Sequence, residues 1–242
     1  MALRSVEVNG RKFNISYEII GSGQKDIIFL HGWGSNKEIM KVFMPYFPEL
    51  RQIYIDMPGF GKSKNEYVLD TKEYAAIIDK LLNEIGMRKN IIIGHSFGGK
   101  VATLLNPELL VLLASAGIVL PKPLGVRFKI KTYKLLKKLG LSKFRKFFVS
   151  NDAKGMSENM YETFKRVVDE DFSGIFANYK GKVLIFGGDK DTAVPLEAVK
   201  KQGELFKSKI IMLRGGHYFF FNDENAEENR KIIKELILKE VE

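Results

Sequence analysis

The sequence predicts an α/β protein with a mostly parallel β-sheet covered by helices on both faces. Three observations point there. Short apolar runs of strand length alternate with segments whose apolar residues recur at helical spacing. The residue types that carry chemistry follow directly after the apolar runs, where a parallel sheet opens its crevice. The chain has 242 residues, enough for one large domain that buries roughly 70–75% of its unfolded surface.

The elements follow in order. Residues 5–8 and 12–19 alternate apolar and polar around Asn9-Gly10, a hairpin signal. Residues 26–30 form a short apolar strand ending at His31-Gly32-Trp33-Gly34, and residues 37–47 read as a helix. A strand at 52–56 ends at Asp56-Met57-Pro58-Gly59-Phe60-Gly61-Lys62-Ser63. Tyr74, Ile77, Ile78, Leu81, Leu82 and Ile85 keep the 3.6-residue period over 71–85, and Gly86 stops that helix. Strands at 90–94, 109–114, 183–186 and 210–213 and helices after the third glycine-rich turn, from 196 and over 226–238, complete the pattern. The alternation lapses from about 117 to 179, which reads as an amphipathic helical insertion over the site. The expected division is therefore a core of 1–116 and 180–242 with a cap of 117–179.

Composition narrows the function. Hydrophobic residues make up 45% and charged residues 28%, as in ordinary globular proteins. There is no cysteine, which excludes disulfides, thiolate metal sites and a cysteine nucleophile. The first ten residues lack the apolar centre of a signal peptide, and no run approaches the ~20 apolar residues of a membrane span. A cytoplasmic location is the expectation. No histidines or carboxylates sit at metal-ligand spacing on one element, so neither metal nor cofactor is expected. Gly61-Lys62-Ser63 ends like a phosphate-binding loop, but Asp56 stands where that loop needs glycine, which argues against nucleotide.

The chain is organised around Gly94-His95-Ser96-Phe97-Gly98. This G-x-S-x-G follows the apolar strand Ile91-Ile92-Ile93 and opens a helix. A serine that attacks a carbonyl must stand clear of the backbone, so the chain turns sharply with Ser96 at its tip. Such a turn costs on the order of 1–3 kcal/mol in strain, and glycines at 94 and 98 remove side chains that would collide. The N–H groups of the new helix point to where negative charge develops.

A serine hydroxyl needs a base within hydrogen-bond reach. The chain has three histidines. His95 lies inside the turn and His31 opens a glycine loop. His217, in Arg214-Gly215-Gly216-His217 after the strand at 210–213, is left as the base. The base needs an acid to fix its tautomer. Asp189 and Asp191 both lie in the loop after 183–186 and compete for that role.

With these residues assembled, the chain resembles the α/β-hydrolase fold family, whose triad runs Ser…Asp…His along the chain. The resemblance covers nearly the whole length except the insertion. It implies the α/β-hydrolase fold with a small helical cap. The family's G-x-x-D-x-x-x-P acid loop matches Gly188 to Pro195 with Asp191 as the acid and Asp189 as the fallback. The family's H-G loop implies that the backbone N–H of Trp33 faces the oxyanion, with the N–H of Phe97 as the second donor. Asp56 to Ser63 matches the family's D-x-P-G-x-G-x-S loop. One departure is the helix after Ser96, which Pro107 stops about a turn early.

The implied activity is hydrolysis of a carboxylic ester through an acyl-enzyme. The loops at His31 and Asp56 are similar to those of esterases that demethylate pimeloyl-acyl carrier protein. Carbon–carbon bond hydrolases, aminopeptidases and cofactor-free haloperoxidases share the triad. A non-catalytic ligand-binding module is the rival from another class.

The net charge is +10, and it is local. Residues 122–146 hold ten basic and no acidic residues, interleaved with apolar ones. The rest of the chain holds equal numbers of each sign. Three readings stay open for this stretch: a solvated cap face, a docking surface for an acidic carrier protein, or contact with anionic lipid. Nucleic acid is not expected.

Overall fold

The computed structural model describes residues 1–121 and 156–241. The basic run at 122–146, and with it most of the expected cap, lies outside the described residues.

Among the described residues eight strands form one sheet in the order β1-β2-β4-β3-β5-β6-β7-β8. β1 (Ala2–Val8) and β2 (Arg11–Ile20) pair as an antiparallel hairpin, and β2 pairs antiparallel with β4 (Arg51–Ile55). Asn9 and Gly10 both take positive φ, 52° and 72°, the left-handed conformation that a two-residue hairpin turn requires. From β4 onward every pairing is parallel, through β3 (Asp26–Leu30), β5 (Ile91–His95), β6 (Leu109–Leu113), β7 (Lys182–Gly188) and β8 (Ile210–Leu213). The sheet is mostly parallel, as the alternation predicts.

Strand side chains alternate between two apolar layers, as the two-residue strand period dictates. Ile28, Ile53, Ile92 and Leu110 face a layer with α1 (Thr71–Glu84), α2 (Phe97–Leu105) and α5 (Leu196–Phe206). Phe29, Tyr54, Ile93 and Val111 face the other, with Met40 and Phe43 and with Ile233 and Ile237 of α6 (Ala226–Val241). The central strands β3, β5 and β6 are buried along their whole length. They read as unbroken apolar runs because both faces are covered.

Local signals explain most boundaries. Asp70 and Glu73 form a reciprocal capping box at the start of α1. Asn106 ends α2 in the left-handed conformation, with Pro107 behind it. The expected helix at 37–47 is instead a 3-10 helix, Lys37–Tyr46. Pro45 lies inside it and lacks the N–H that an α-turn would use.

Between β6 and β7 the described residues carry two short helices, α3 (Glu158–Val167) and α4 (Ser173–Asn178). α3 is staked to the core near its N-terminus. Asn159 donates to the Asn65 carbonyl at 2.9 Å, and the Leu69 amide donates to the Thr163 hydroxyl at 3.0 Å. Among the described residues no helix is long and apolar enough to cross a membrane.

Candidate active site

Ser96 stands between β5 and α2 with φ 50° and ψ −115°. A residue other than glycine in that region stores strain of ~1–3 kcal/mol, and the surroundings hold it there. The Ser96 amide donates to Leu113 of β6 at 3.0 Å, and the Ser96 carbonyl accepts from Gly99 and Ala116. The two glycines act against different neighbours. A Cβ on Gly94 would lie 2.5 Å from the Gly98 carbonyl oxygen, so β5 and α2 touch there. A Cβ on Gly98 would lie 2.5 Å from the carbonyl oxygens of both Leu30 and His31, so α2 also presses on the end of β3. That second contact carries the His31 loop over the serine. A Cβ on Gly32 would lie 3.2 Å from the Ser96 Cβ.

The loops after β7 and β8 bring Asp191 and His217 together. His217 Nδ1 lies 2.8 Å from Asp191 Oδ2. The other Asp191 oxygen accepts the amides of Ala193 at 2.7 Å and Val194 at 2.9 Å. The Asp191 side chain is fully buried, and that of His217 is 20% exposed. Asp189 is exposed and accepts the Gly215 amide at 2.8 Å, two residues ahead of His217. The two aspartates therefore divide the work: one meets the imidazole, the other ties down the glycine run that delivers it.

Ser96, His217, Trp33 and Phe97 line one cleft of about 950 Å³. Trp33 packs edge-on against Phe60 and Phe97, with centroids 4.9 Å and 5.5 Å away. Phe97 opens α2, whose first N–H groups have no acceptor within the helix. Such a cleft, with a strained serine, an acid-bound imidazole and a helix N-terminus, can take an acyl group and stabilise negative charge on it.

The other two histidines are buried and serve the loops. His31 Nδ1 lies 2.7 Å from the Gly32 oxygen, while Nε2 accepts the Met57 amide at 3.0 Å. Burial pushes its pKa down to about 4. His95 Nε2 lies 3.1 Å from the backbone oxygen of His217, and its ring sits 4.7 Å from the His217 ring. Burial also lowers its pKa, and the nearby His217 adds to that. Sequence reasoning placed His95 beside Ser96 but missed this bond.

The loop from Asp56 to Ser63 closes on its own carboxylate. Asp56 accepts the Lys37 amide at 2.8 Å, the Lys37 ammonium at 2.6 Å and the Lys62 amide at 3.0 Å. Burial opposes its charge, yet these bonds outweigh burial and hold the carboxyl below the usual range. A Cβ on Gly61 would strike that carboxylate, so the turn is shaped around Asp56 rather than around a phosphate. Sequence reasoning missed this buried pair, and it missed Lys100, whose place four residues after Ser96 on one helix face was the available signal. Among the described residues no group of three histidines and carboxylates is arranged to hold a metal.

A 62-residue stretch is 32% identical to a pimeloyl-[acyl-carrier protein] methyl ester esterase of Serratia marcescens, covering 26% of this chain. The chain spans about a quarter of the length of that curated relative, 24%. The AB hydrolase superfamily protein YisY of Bacillus subtilis is 26% identical, with 85% of this chain and 89% of that protein covered. Among solved structures, an esterase from Exiguobacterium antarcticum superposes with a TM-score of 0.74 at 22% identity, covering 98% of both chains. The model of the Alpha/beta hydrolase family matches residues 27–229. The chain belongs to the alpha/beta hydrolase family.

Proposed function

We propose that this hydrolase cleaves carboxylic esters through an acyl-enzyme on Ser96. The observation that carries the reading is the 2.8 Å contact of Asp191 with His217, in the same cleft as a serine held in left-handed backbone geometry. His217 Nε2 takes the proton as the Ser96 hydroxyl attacks the ester carbonyl. Asp191 holds the Nδ1–H tautomer and stabilises the imidazolium. The Trp33 and Phe97 amides hold the oxyanion. His217 then protonates the leaving alcohol, and water releases the acid by the reverse sequence.

The described part of 117–179 supports the division into a core and a cap, since α3 and α4 interrupt the strand–helix rhythm and α3 lines the cleft. A carrier-linked ester is the finer reading. Its support is the Serratia esterase, whose name specifies an acyl-carrier protein ester, together with the basic run at 122–146.

The test pairs chemistry with labelling. A panel of uncharged esters, thioesters and anilides should show ester turnover. A fluorophosphonate should add one adduct to the native chain, and Ser96→Ala should abolish both results. An adduct-free wild-type protein that binds esters without turnover would make it a binding module.

A further inference from the structure

α2 carries a second group besides the nucleophile. Lys100 lies one helical turn after Ser96, and its side chain is 1% exposed. A buried ammonium needs several partners, and a single segment supplies them. Nζ lies 2.6 Å from the Val167 carbonyl, 3.4 Å from the Glu170 carbonyl and 3.1 Å from a Glu170 carboxylate oxygen. The Phe172 ring centroid is 4.8 Å away. Glu170 also accepts the hydroxyl of Thr71, the first residue of α1.

The position of these partners matters. Val167 is the last residue of α3, where carbonyls lack intrahelical donors and the helix dipole is negative. A cation there stabilises the helix end and fixes its place. The opposite end is already staked by Asn159 and Thr163. α3 is thus held at one end by the loop before α1 and at the other by the nucleophile helix itself. Met160, Phe164 and Val167 of α3 line the cleft that contains Ser96. Met160 is wedged in place: a Cβ on Gly59 would lie 2.3 Å from its sulfur.

Resting on the proposed ester hydrolysis, we infer that Lys100 is a specificity-determining positioning residue: by latching α3 to the nucleophile helix it holds an apolar wall that selects uncharged aliphatic acyl groups. The ammonium is taken up by Val167 and Glu170, so it does not recruit an anionic acyl end. Burial draws the Lys100 pKa down, with Glu170 opposing. Lys100 borders the cleft, but its side chain is nearly closed off and its charge is met by the latch. A short acyl group needs little of the wall, whereas a long one lies along it.

The experiment compares wild type, Lys100→Met and Glu170→Gln as full chains, on p-nitrophenyl acetate and p-nitrophenyl octanoate. Lys100→Met should lower the octanoate-to-acetate ratio of kcat/KM by about tenfold or more, through the KM for octanoate. Glu170→Gln removes only the carboxylate and should shift the ratio the same way, by about threefold. Octanoate ester binding is also read from Trp33 fluorescence in a Ser96→Ala background, where no turnover is needed. There Lys100→Met should weaken binding about tenfold. This readout separates failure of the latch from failure of ester hydrolysis. Equal losses on both esters, or octanoate binding unchanged by either substitution, would overturn the inference. Should Lys100→Met fail to fold, an unchanged ratio and unchanged binding in Glu170→Gln would overturn it alone.

Discussion

The backbone oxygen of His217 lies 3.1 Å from Nε2 of His95, the residue before Ser96. The turn that presents Ser96 therefore also grips the loop that presents His217. Two segments 122 residues apart are tied by one bond at the point where their geometry must match. The His95 ring also packs on His217, Tyr218 and Phe220, so the loop after β8 rests on it through three rings.

The histidine His31 gives a pH prediction. Its folded-state pKa is about 4, against an ordinary 6.5, because burial disfavours the imidazolium. Asp56 raises the value and Lys37 lowers it, both by less than burial does. The unfolded chain binds the proton first as pH falls, so stability drops between about pH 6.5 and 4, by roughly 3 kcal/mol for this group. Above pH 6.5 the contribution is fully present. His95 shifts in the same direction and adds to the slope. Urea midpoints across this window should fall steeply for wild type. His31→Gln, which can still accept the Met57 amide, should show a shallower fall. Parallel slopes would remove His31 as the cause.

A glycine pair makes a second prediction. Gly98→Ala places a methyl group 2.5 Å from two backbone oxygens at the end of β3. Overpacking of this kind costs about 1–3 kcal/mol, and the displaced His31 loop should lower kcat as well. Gly174, exposed in α4, has nothing within 4 Å of its Cβ position and no positive φ. Gly174→Ala should stabilise by roughly 0.4–1 kcal/mol. Thermal melts of both variants check the contrast, and a neutral Gly98→Ala would contradict the close approach.

The basic run supplies a third. Charge complementarity mainly alters association rate and is screened by salt. The triple reversal Lys134→Glu, Lys137→Glu and Lys138→Glu should lower kcat/KM at least about tenfold on an ester carried by acyl carrier protein at low salt. A small uncharged ester should be hardly affected, and the gap should narrow as salt rises. Steady-state assays on both substrates decide it. No loss on either would make these lysines a solvated face.

The strands and the sharp turn at Ser96 were legible because each imposes a local pattern. Both-face burial writes β3, β5 and β6 as unbroken apolar runs. The sharp turn at Ser96 admits only glycine at 94 and 98. His217 followed from elimination among three histidines. The residues alone left Asp189 and Asp191 level, since both sit in one loop; the family's acid-loop pattern pointed to Asp191, and their partners, the Gly215 amide and the His217 ring, tell them apart in the fold. Lys100 carried only its spacing from Ser96 as a signal, and nothing in the sequence showed its partners. Its partners lie 67 to 70 residues away in a segment without strand rhythm. The 3-10 geometry of Lys37–Tyr46 was hidden behind an amphipathic pattern that also suits an α-helix.

The central claim is that Ser96, His217 and Asp191 act as one unit on an ester. Kinetics of single and double variants test it most directly, with kcat measured on an ester that the wild type turns over. Ser96→Ala and His217→Ala should each lower kcat by on the order of 10⁶, and the double variant should lose no more than either single. Asp191→Asn should cost roughly 10⁴, and Asp189→Asn clearly less. Losses that multiply in the double variant, or a larger loss from Asp189→Asn than from Asp191→Asn, would contradict the account.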